Sequence, residues 1–284
     1  MQLKDHLEQK HNLIIVNSLP LSTGFGIRGD KIWLENGHIA AVKSSISQRS
    51  PNLITEAQML ESLKTAGWPV PDVWAVDDHC LVMEWLSNDN SSLSQRAQFK
   101  TGQTLAKLHR HSASYFGFAN TTPIGPLAQP NHETSSWLDF YKNKRIMHIA
   151  TIAQEKEALP TNLFDRLQVF SEQLGNFLCE PDKPSLIHGD IWGGNVMVHQ
   201  GQLTGFIDPA IYYADKEIEL AFTQMFSTFG QDFFKGYQTI TPLEPAFFKE
   251  RIDIYNLYPT LVHVCLFGSS YLPPIERTMD KFGF

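Results

Sequence analysis

The chain has 284 residues, 42% hydrophobic and 19% charged, the composition of an ordinary globular protein and a length that suits two lobes better than one core. Its formal net charge of -7 argues against nucleic acid as a partner, because a phosphate backbone is met by a basic face. No apolar run approaches the ~18 residues of a membrane helix, and "MQLKDHLEQKHN" at the start is too polar for a signal peptide, so the expectation is a cytoplasmic protein with no membrane partner.

Taken in chain order, the first segments read as strands. "LIIVNSLPL", "IRGDKIWLEN" and "IAAVKSS" are short, partly alternating runs separated by "STGFG" and "NGH", which predicts an antiparallel sheet with a hairpin at Asn36 and Gly37. "NLITEAQMLESLKTAG" has apolar residues at helical spacing and stops at Gly67, so one amphipathic helix is expected there. "DVWAVDDHCLVMEWL" returns to strand character with a turn at Asp77 and Asp78. From "SLSQRAQFKTGQTLAKLHRHSA" onward helical periodicity dominates. The polar run "SNDNSS", Ser87 to Ser92, then reads as a hinge between an N-terminal lobe, 1–86, and a C-terminal lobe, 93–284. "NTTPIGPLAQPN" is a long Pro-containing loop, of a length that suits shaping a site. Cys80, Cys179 and Cys265 are odd in number and widely spaced. They suggest neither a disulfide framework nor a zinc site, and all three are expected as buried thiols.

Chemistry concentrates in "LIHGDIWGGNVMV", Leu186 to Val198. Apolar runs on both sides read as short buried strands, and the glycines between them let the chain turn tightly enough to expose Asp190 at its tip. Asn195 follows five residues later, and after the turn "HQGQLTG" a second apolar run ends in Asp208. Taken singly, Asp190 and Asn195 are also good turn caps. As an ordered set on a small antiparallel sheet with one helix followed by a helical lobe, they match the layout of a protein-kinase-like phosphotransferase. The fold class expected is therefore α+β and bilobal. "HGDIWGGN" has the spacing of the kinase catalytic loop, whose Asp takes the proton of the attacking hydroxyl and whose Asn binds metal, and "IDP" stands where the metal-binding DFG would be. Asp190 is then a base, with Asn195 and Asp208 as hard oxygen ligands for Mg²⁺.

The same layout asks for a phosphate-binding lysine in the sheet, and "AAVKSS" offers Lys43, with Glu56 on the next helix as its ion-pair partner. "STGFG", Ser22 to Gly26, has free backbone N–H groups suited to phosphates, though glycines in a hairpin turn need no ligand. "MEWL", Met83 to Leu86, is the candidate hinge strand, with backbone groups at Glu84 and Leu86 placed to meet adenine.

The chain resembles the fructosamine kinases (ketosamine-3-kinases), a branch of the aminoglycoside-phosphotransferase-like kinases. The resemblance rests on "SLIHGDIWGGNVMV", "FIDPAIYYADKEIELAFTQMFSTFGQDFFKGY", "SWLDFYKNKR", "GFANTTPIGPLAQPN" and "IYNLYPTLVHVCLFGSSY", and runs from about Lys43 to Tyr271. It implies ATP-dependent, Mg²⁺-assisted phosphorylation of the 3-hydroxyl of a ketose joined to an amine, on a small molecule or a protein. The product then breaks down and frees the amine, a repair of glycation. The resemblance also implies that Lys43 and Glu56 anchor phosphates, that Asp190 is the base, and that Asn195 and Asp208 hold metal. Glu219 lies where related kinases have a helix Asp bonded to the catalytic-loop backbone; a solvated helix face is its alternative. Trp192 is a candidate wall of the sugar site, and His188 a structural hydrogen-bonder. Pro259, Val262 and Cys265 depart from the family's usual residues in the "LYPTLVHVCLFG" helix, where His263 is kept, and the order of "STGFGIRG" is atypical. Two other functions use the same residues or fewer: a kinase of another hydroxyl compound such as an aminoglycoside or choline, and a non-catalytic nucleotide-binding scaffold.

Overall fold

The computed structural model describes residues 3–21, 24–46 and 52–284. Its residues group into two compact units, one drawn from 1–97, 123–128 and 194–210, the other from 98–122, 129–193 and 211–284.

In the first unit, strands β1 (Ile15–Leu21), β2 (Ile27–Leu34), β3 (Ile39–Ser45), β4 (Val73–Val76) and β5 (Cys80–Glu84) form an antiparallel sheet in the order β1-β2-β3-β5-β4. Alternation explains which face is buried: Ile32 and Leu34 of β2, Ala40 and Val42 of β3, and Cys80 and Val82 of β5 point into one core. The β2–β3 turn falls at Asn36 and Gly37, as the sequence predicts. Gly37 has φ +84, and Asn36 Oδ1 accepts the His38 N–H at 3.1 Å. Helix α2 (Leu53–Thr65) is capped by Asn52, whose side chain accepts from the N–H groups of Ile54 and Thr55, and it stops at Gly67, φ +77.

A second helix, α1 (Leu3–His11), joins the single one expected beside this sheet. Its apolar signal is one i, i+4 pair, Leu3 and Leu7, in an otherwise polar stretch, too little to read as a periodic face. Leu7 is nonetheless fully buried in the sheet core.

The hairpin of β9 (Val196–His199) and β10 (Gln202–Phe206) also belongs to the first unit. Trp68 stacks on Phe206 with ring centroids 4.4 Å apart, and the Phe206 N–H donates to the Pro69 carbonyl at 2.8 Å. The polar run Ser87–Ser92 is bonded along the same hairpin. Asp89 N–H donates to Val198 O, Gln200 N–H to Asp89 Oδ2, and Gly201 N–H to Ser91 Oγ.

The second unit is mainly helical. It takes in most of α3 (Gln95–Leu108), while the small hairpin that follows, β6 (Thr122–Ile124) and β7 (Leu127–Gln129), groups with the first unit at 123–128; helix α4 (Trp137–Phe140) then runs through a wide π turn at Tyr141–Ile146 into α5 (Met147–Glu155). Helix α6 (Thr161–Ser171) precedes β8 (Ser185–Ile187), and β8 pairs antiparallel with β11 (Tyr212–Ala214). Helices α7 (Glu217–Met225), α8 (Gln231–Gln238), α9 (Ile252–Tyr255), α10 (Leu257–Phe267) and α11 (Leu272–Phe282) complete it. Polar tips in its aromatic core are paired, as burial demands. Trp137 Nε1–H donates to Tyr255 Oη at 3.1 Å, and the Tyr255 hydroxyl donates to Asp215 Oδ2 at 2.7 Å. No helix among the described residues is long and apolar enough to cross a membrane.

Two of the expected buried thiols differ. Cys80 is buried, Cys265 half-buried and Cys179 exposed. In the extended stretch after residue 177 the buried position is taken by Leu178, which turns its neighbour Cys179 to solvent.

Helices α3 and α8 touch backbone to backbone. A Cβ built on Gly236 would lie 2.0 Å from the Phe99 carbonyl oxygen, and one on Gly102 would lie 2.0 Å from that of Phe233. Because neither carbonyl can rotate aside, Gly236→Ala is expected to destabilise the chain by about 3 kcal/mol, read as a lower urea midpoint at unchanged slope. A variant as stable as the parent would refute the contact.

Candidate functional site

Strand β3 buries Val42 and turns the next residue, Lys43, to the other face. Its Nζ donates to Glu56 Oε1 at 2.6 Å and to Asp208 Oδ1. Glu56 reaches it from the first turn of α2, and Asp208 from just beyond β10. Burial alone would push the Lys43 ammonium down, but the carboxylates of Asp208 and Glu56 outweigh it and raise its pKa above the ordinary lysine value. For Glu56, burial comes first and raises the pKa; Lys43 pulls it down, Asp208 pushes it up, and the net direction is upward. One ammonium serves two carboxylates, so the cluster keeps an excess of negative charge.

Asn195 ends the short turn Gly193–Asn195 and is buried. Its carbonyl accepts the N–H of Ile207 at 3.1 Å, which closes the base of the hairpin next to Asp208. Asp208 itself has φ +56, a left-handed backbone that Asp tolerates better than most residues. The two side chains offer hard oxygen donors beside surplus negative charge, a donor set that fits Mg²⁺.

Leu86 lies over this hairpin: a Cβ on Gly205, φ +157, would meet Leu86 Cδ1 at 2.6 Å. Glu84 is engaged with Asp72, donating its N–H to Asp72 O and accepting the Asp72 N–H at Oε2, 3.3 Å. Of the glycine loop, Ser22 and Thr23 lie outside the described residues; Gly24 O accepts the Ile27 N–H.

In the second unit, β8 leads into His188, Gly189 and Asp190. Gly189 has φ +85, which a side chain would strain, and this is the bend that lifts Asp190 out of the strand. Asp190 is half-buried, and its N–H donates to Nδ1 of the fully buried His188 at 3.3 Å. Glu219, in the first turn of α7, is 2% exposed, so it is no solvated helix face. Its carboxylate accepts the N–H of Gly189 at 2.7 Å and of His188 at 3.2 Å. His109 Nε2 also bonds it at 2.9 Å, while Tyr237 Oη lies 2.8 Å from His109 Nδ1. The carboxylate acceptor puts a proton on Nε2, so in the neutral ring Nδ1 accepts from the tyrosine hydroxyl.

Trp192 is 41% exposed, and its ring begins an aromatic row: Phe226 at 6.2 Å, then His263 5.2 Å from Phe226, then Tyr271 4.9 Å from His263. His263 donates Nδ1–H to the Pro259 carbonyl at 2.7 Å. Burial pushes its pKa down, which favours the neutral ring. Phe226 and Tyr271 also line a cavity of about 620 Å³ with Asn256 and Arg277.

Lys43, Glu56 and Asp208 are thus in direct contact, with Asn195 in the same unit, and His188, Asp190 and Glu219 are gathered around one loop in the other. Sequence reading passed over His109 and Arg145. His109 follows Ala97, Thr101 and Leu105, buried residues at helical spacing, and this periodicity would have marked it as an inward histidine. Arg145, fully buried, closes the stretch "SWLDFYKNKR"; it donates to Asn131 Oδ1 at 2.6 Å and to Pro130 O at 2.9 Å, and its guanidinium stands 3.9 Å over the Tyr212 ring. It ties the proline-containing loop to β11, and a lone Arg in sequence carries no sign of burial.

The fructosamine kinase family profile matches residues 23–282. A Vibrio parahaemolyticus protein described as "probable ketoamine kinase" is 38% identical over 188 residues, 64% of this chain and 62% of that protein's length. The crystal structure described as "putative fructosamine-3-kinase" from Thermobifida fusca superposes with a TM-score of 0.89 at 27% identity, over 98% of this chain and 97% of that one. Aminoglycoside phosphotransferase APH(4)-Ia, solved with AMP-PNP and hygromycin B, gives a TM-score of 0.63 at 14% identity over 99% and 96% of the two chains, a likeness of fold alone.

Glu219→Ala would leave the amides of His188 and Gly189 without their carboxylate, at a cost of about 1–3 kcal/mol for each group. Amide hydrogen exchange at these two positions should accelerate in the variant ahead of exchange in β8. Unchanged protection would mean that Glu219 does not hold the loop.

Proposed function

Because the chain belongs to the fructosamine kinase family, and is thus an ATP-dependent phosphotransferase with an alcohol group as acceptor, we propose that it phosphorylates the 3-hydroxyl of a ketosamine, of fructosamine or ribulosamine type. The observation that carries this reading is the contact of Lys43 with both Glu56 and Asp208, a phosphate-binding lysine held beside a metal-binding carboxylate. In the proposal, residues 1–86 serve as the nucleotide lobe and 93–284 carry the acceptor. The Glu84 carbonyl and the Leu86 N–H meet adenine, Lys43 binds phosphate oxygens, and Glu56 fixes Lys43. Asn195 and Asp208 would hold Mg²⁺, which when bound neutralises charge on the phosphate oxygens.

Asp190 then orients the acceptor hydroxyl. As the hydroxyl oxygen bonds to the γ-phosphorus, the bond from that phosphorus to the ADP oxygen breaks, and the hydroxyl proton passes to Asp190. Glu219 fixes the backbone that presents Asp190, His188 packs under it, and Trp192 walls the sugar. The 3-phosphate breaks down and frees the amine, which makes the reaction a deglycation. The acceptor is a small molecule or a protein-bound adduct in the cytoplasm. Nucleic acid and membrane are excluded from the proposal on the net charge of -7 and on the absence of long apolar runs.

Two measurements test it. General-base contributions are typically about 10²–10⁴-fold, so Asp190→Asn should lower kcat on a ketosamine by that range while ATP affinity changes little. The parent should not turn over the matching 3-deoxy ketosamine. Phosphorylation of the 3-deoxy compound at a comparable rate, or equal preference for an aminoglycoside, would sink the 3-hydroxyl assignment.

For the lysine pair, Lys43→Ala should lose more activity than Glu56→Ala, and the double variant should lose no more than Lys43→Ala, because Glu56 acts through Lys43. Losses that simply add would show that the pair does not work as a unit.

A further inference from the structure

Far along the chain from Asp208, four metal-capable side chains converge at the edge of the first unit's sheet. His6 and His11 come from the inner face and last turn of α1, Asp77 from the turn between β4 and β5, and Cys80 from the first position of β5. His6 Nε2 and His11 Nε2 lie 2.8 Å and 2.7 Å from the same oxygen, Asp77 Oδ2. Cys80 Sγ lies 3.7 Å from Asp77 Oδ1. One donor atom from each of the four falls within 4.8 Å of every other. Lys10 Nζ also approaches Oδ2, at 3.4 Å, on a side chain that is 56% exposed and can swing into solvent.

We propose that His6, His11, Asp77 and Cys80 form a binding site for one tetrahedral divalent transition ion of the zinc class, which staples α1 to the β4–β5 turn. Two imidazole nitrogens, a thiolate and a carboxylate are the donors that zinc takes, at about 2.0–2.3 Å each. Hard ions such as Mg²⁺ and Ca²⁺ prefer all-oxygen sets. With both imidazoles neutral, one carboxylate and one thiolate balance the ion's charge; the thiol proton leaves to solvent on binding. Donors spaced for a tetrahedral ion sit roughly 3.3–3.8 Å apart, so the cluster needs only a small rearrangement.

The surroundings suit a site. Asp77 Oδ1 accepts the backbone N–H groups of His79 at 2.7 Å and Cys80 at 3.0 Å, which fixes the carboxylate, as outer partners do around metal ligands. Among the described residues His6 Nδ1 is buried with no hydrogen-bond partner, and the ring's bond to Asp77 is made through Nε2, the nitrogen that faces the cluster. Cys80 is fully buried and belongs to the same core cluster as Leu7 and Val82.

The test uses the full chain, stripped with a chelator and titrated with Zn²⁺ against a chromophoric competitor in excess Mg²⁺. One equivalent of Zn²⁺ should bind, and Tm should rise with zinc concentration. Cobalt(II) in its place should give the intense visible bands of a tetrahedral ion and a thiolate-to-cobalt charge-transfer band. His11→Ala, at a side chain on the unit's edge, should weaken zinc by more than the 10–100-fold that an outer partner is worth. Cys80→Ser should lose the charge-transfer band. Should Cys80→Ser fail to fold, His11→Ala and the cobalt spectrum of the parent still decide. No bound equivalent, zinc affinity unchanged in His11→Ala, or a weak six-coordinate cobalt spectrum without the thiolate band would overturn the proposal.

Discussion

The Lys43 ammonium between Glu56 and Asp208 is the constraint around which the first unit is arranged, because it joins three separate pieces of chain: a central strand, the first turn of a helix, and the residue after a hairpin. Burying the charges of Lys43 and Glu56 costs several kcal/mol for each, while Asp208 stays partly in water, so the cluster is weak as a source of stability. Its value is positional. Each partner is held by packing that does not depend on the ion pair: β3 by its neighbours β2 and β5, α2 by its Asn52 cap and buried leucines, the hairpin by the Trp68–Phe206 stack. Asp208 also keeps a left-handed backbone, a conformation that costs of order 1 kcal/mol or more and survives where the surroundings enforce it.

The second unit repeats this logic with a buried carboxylate in the leading place. Glu219 collects two backbone amides of the His188–Gly189 bend and the Nε2 nitrogen of His109, so its carboxylate is met on three sides by groups fixed in place. The histidine is in turn oriented by Tyr237 on α8, and α8 comes close enough to α3 only because Gly102 and Gly236 let the two backbones touch. A chain of contacts therefore runs from a helix crossing to the bend that carries Asp190. Preorganisation of this kind is what a transfer reaction needs, since the residues must be in place before charge moves.

The departures in α10 also make local sense. Pro259 is the third residue of the helix, where its missing N–H would have no partner in any case. Its carbonyl takes the Nδ1 proton of His263, which sets the tautomer of a ring standing in the row from Trp192 to Tyr271. The residue that looked anomalous and the residue that looked retained thus work as a pair.

Partial alternation was enough to read β2 and β3 as strands, with Lys43 near the end of the second. An Asn-Gly pair set the hairpin between them, and helical spacing with a terminal glycine bounded α2. The order and spacing of Asp190, Asn195 and Asp208 were likewise plain in the sequence, because each lies at the end of a short local unit. The Lys43–Glu56 pair and the supporting place of Glu219 were legible through kinase layout and family resemblance rather than through local pattern. Only packing decided that Leu178 rather than Cys179 turns inward, that the weakly patterned α1 docks at all, that Arg145 is buried, and that His109 meets Glu219. The physical reason is range. Propensity, turn chemistry and hydrophobic period act over a few residues, whereas Lys43 and Asp208 are 165 residues apart and His109 and Glu219 are 110 apart. Which of many compatible charges become partners across such distances is settled by how the cores close around them.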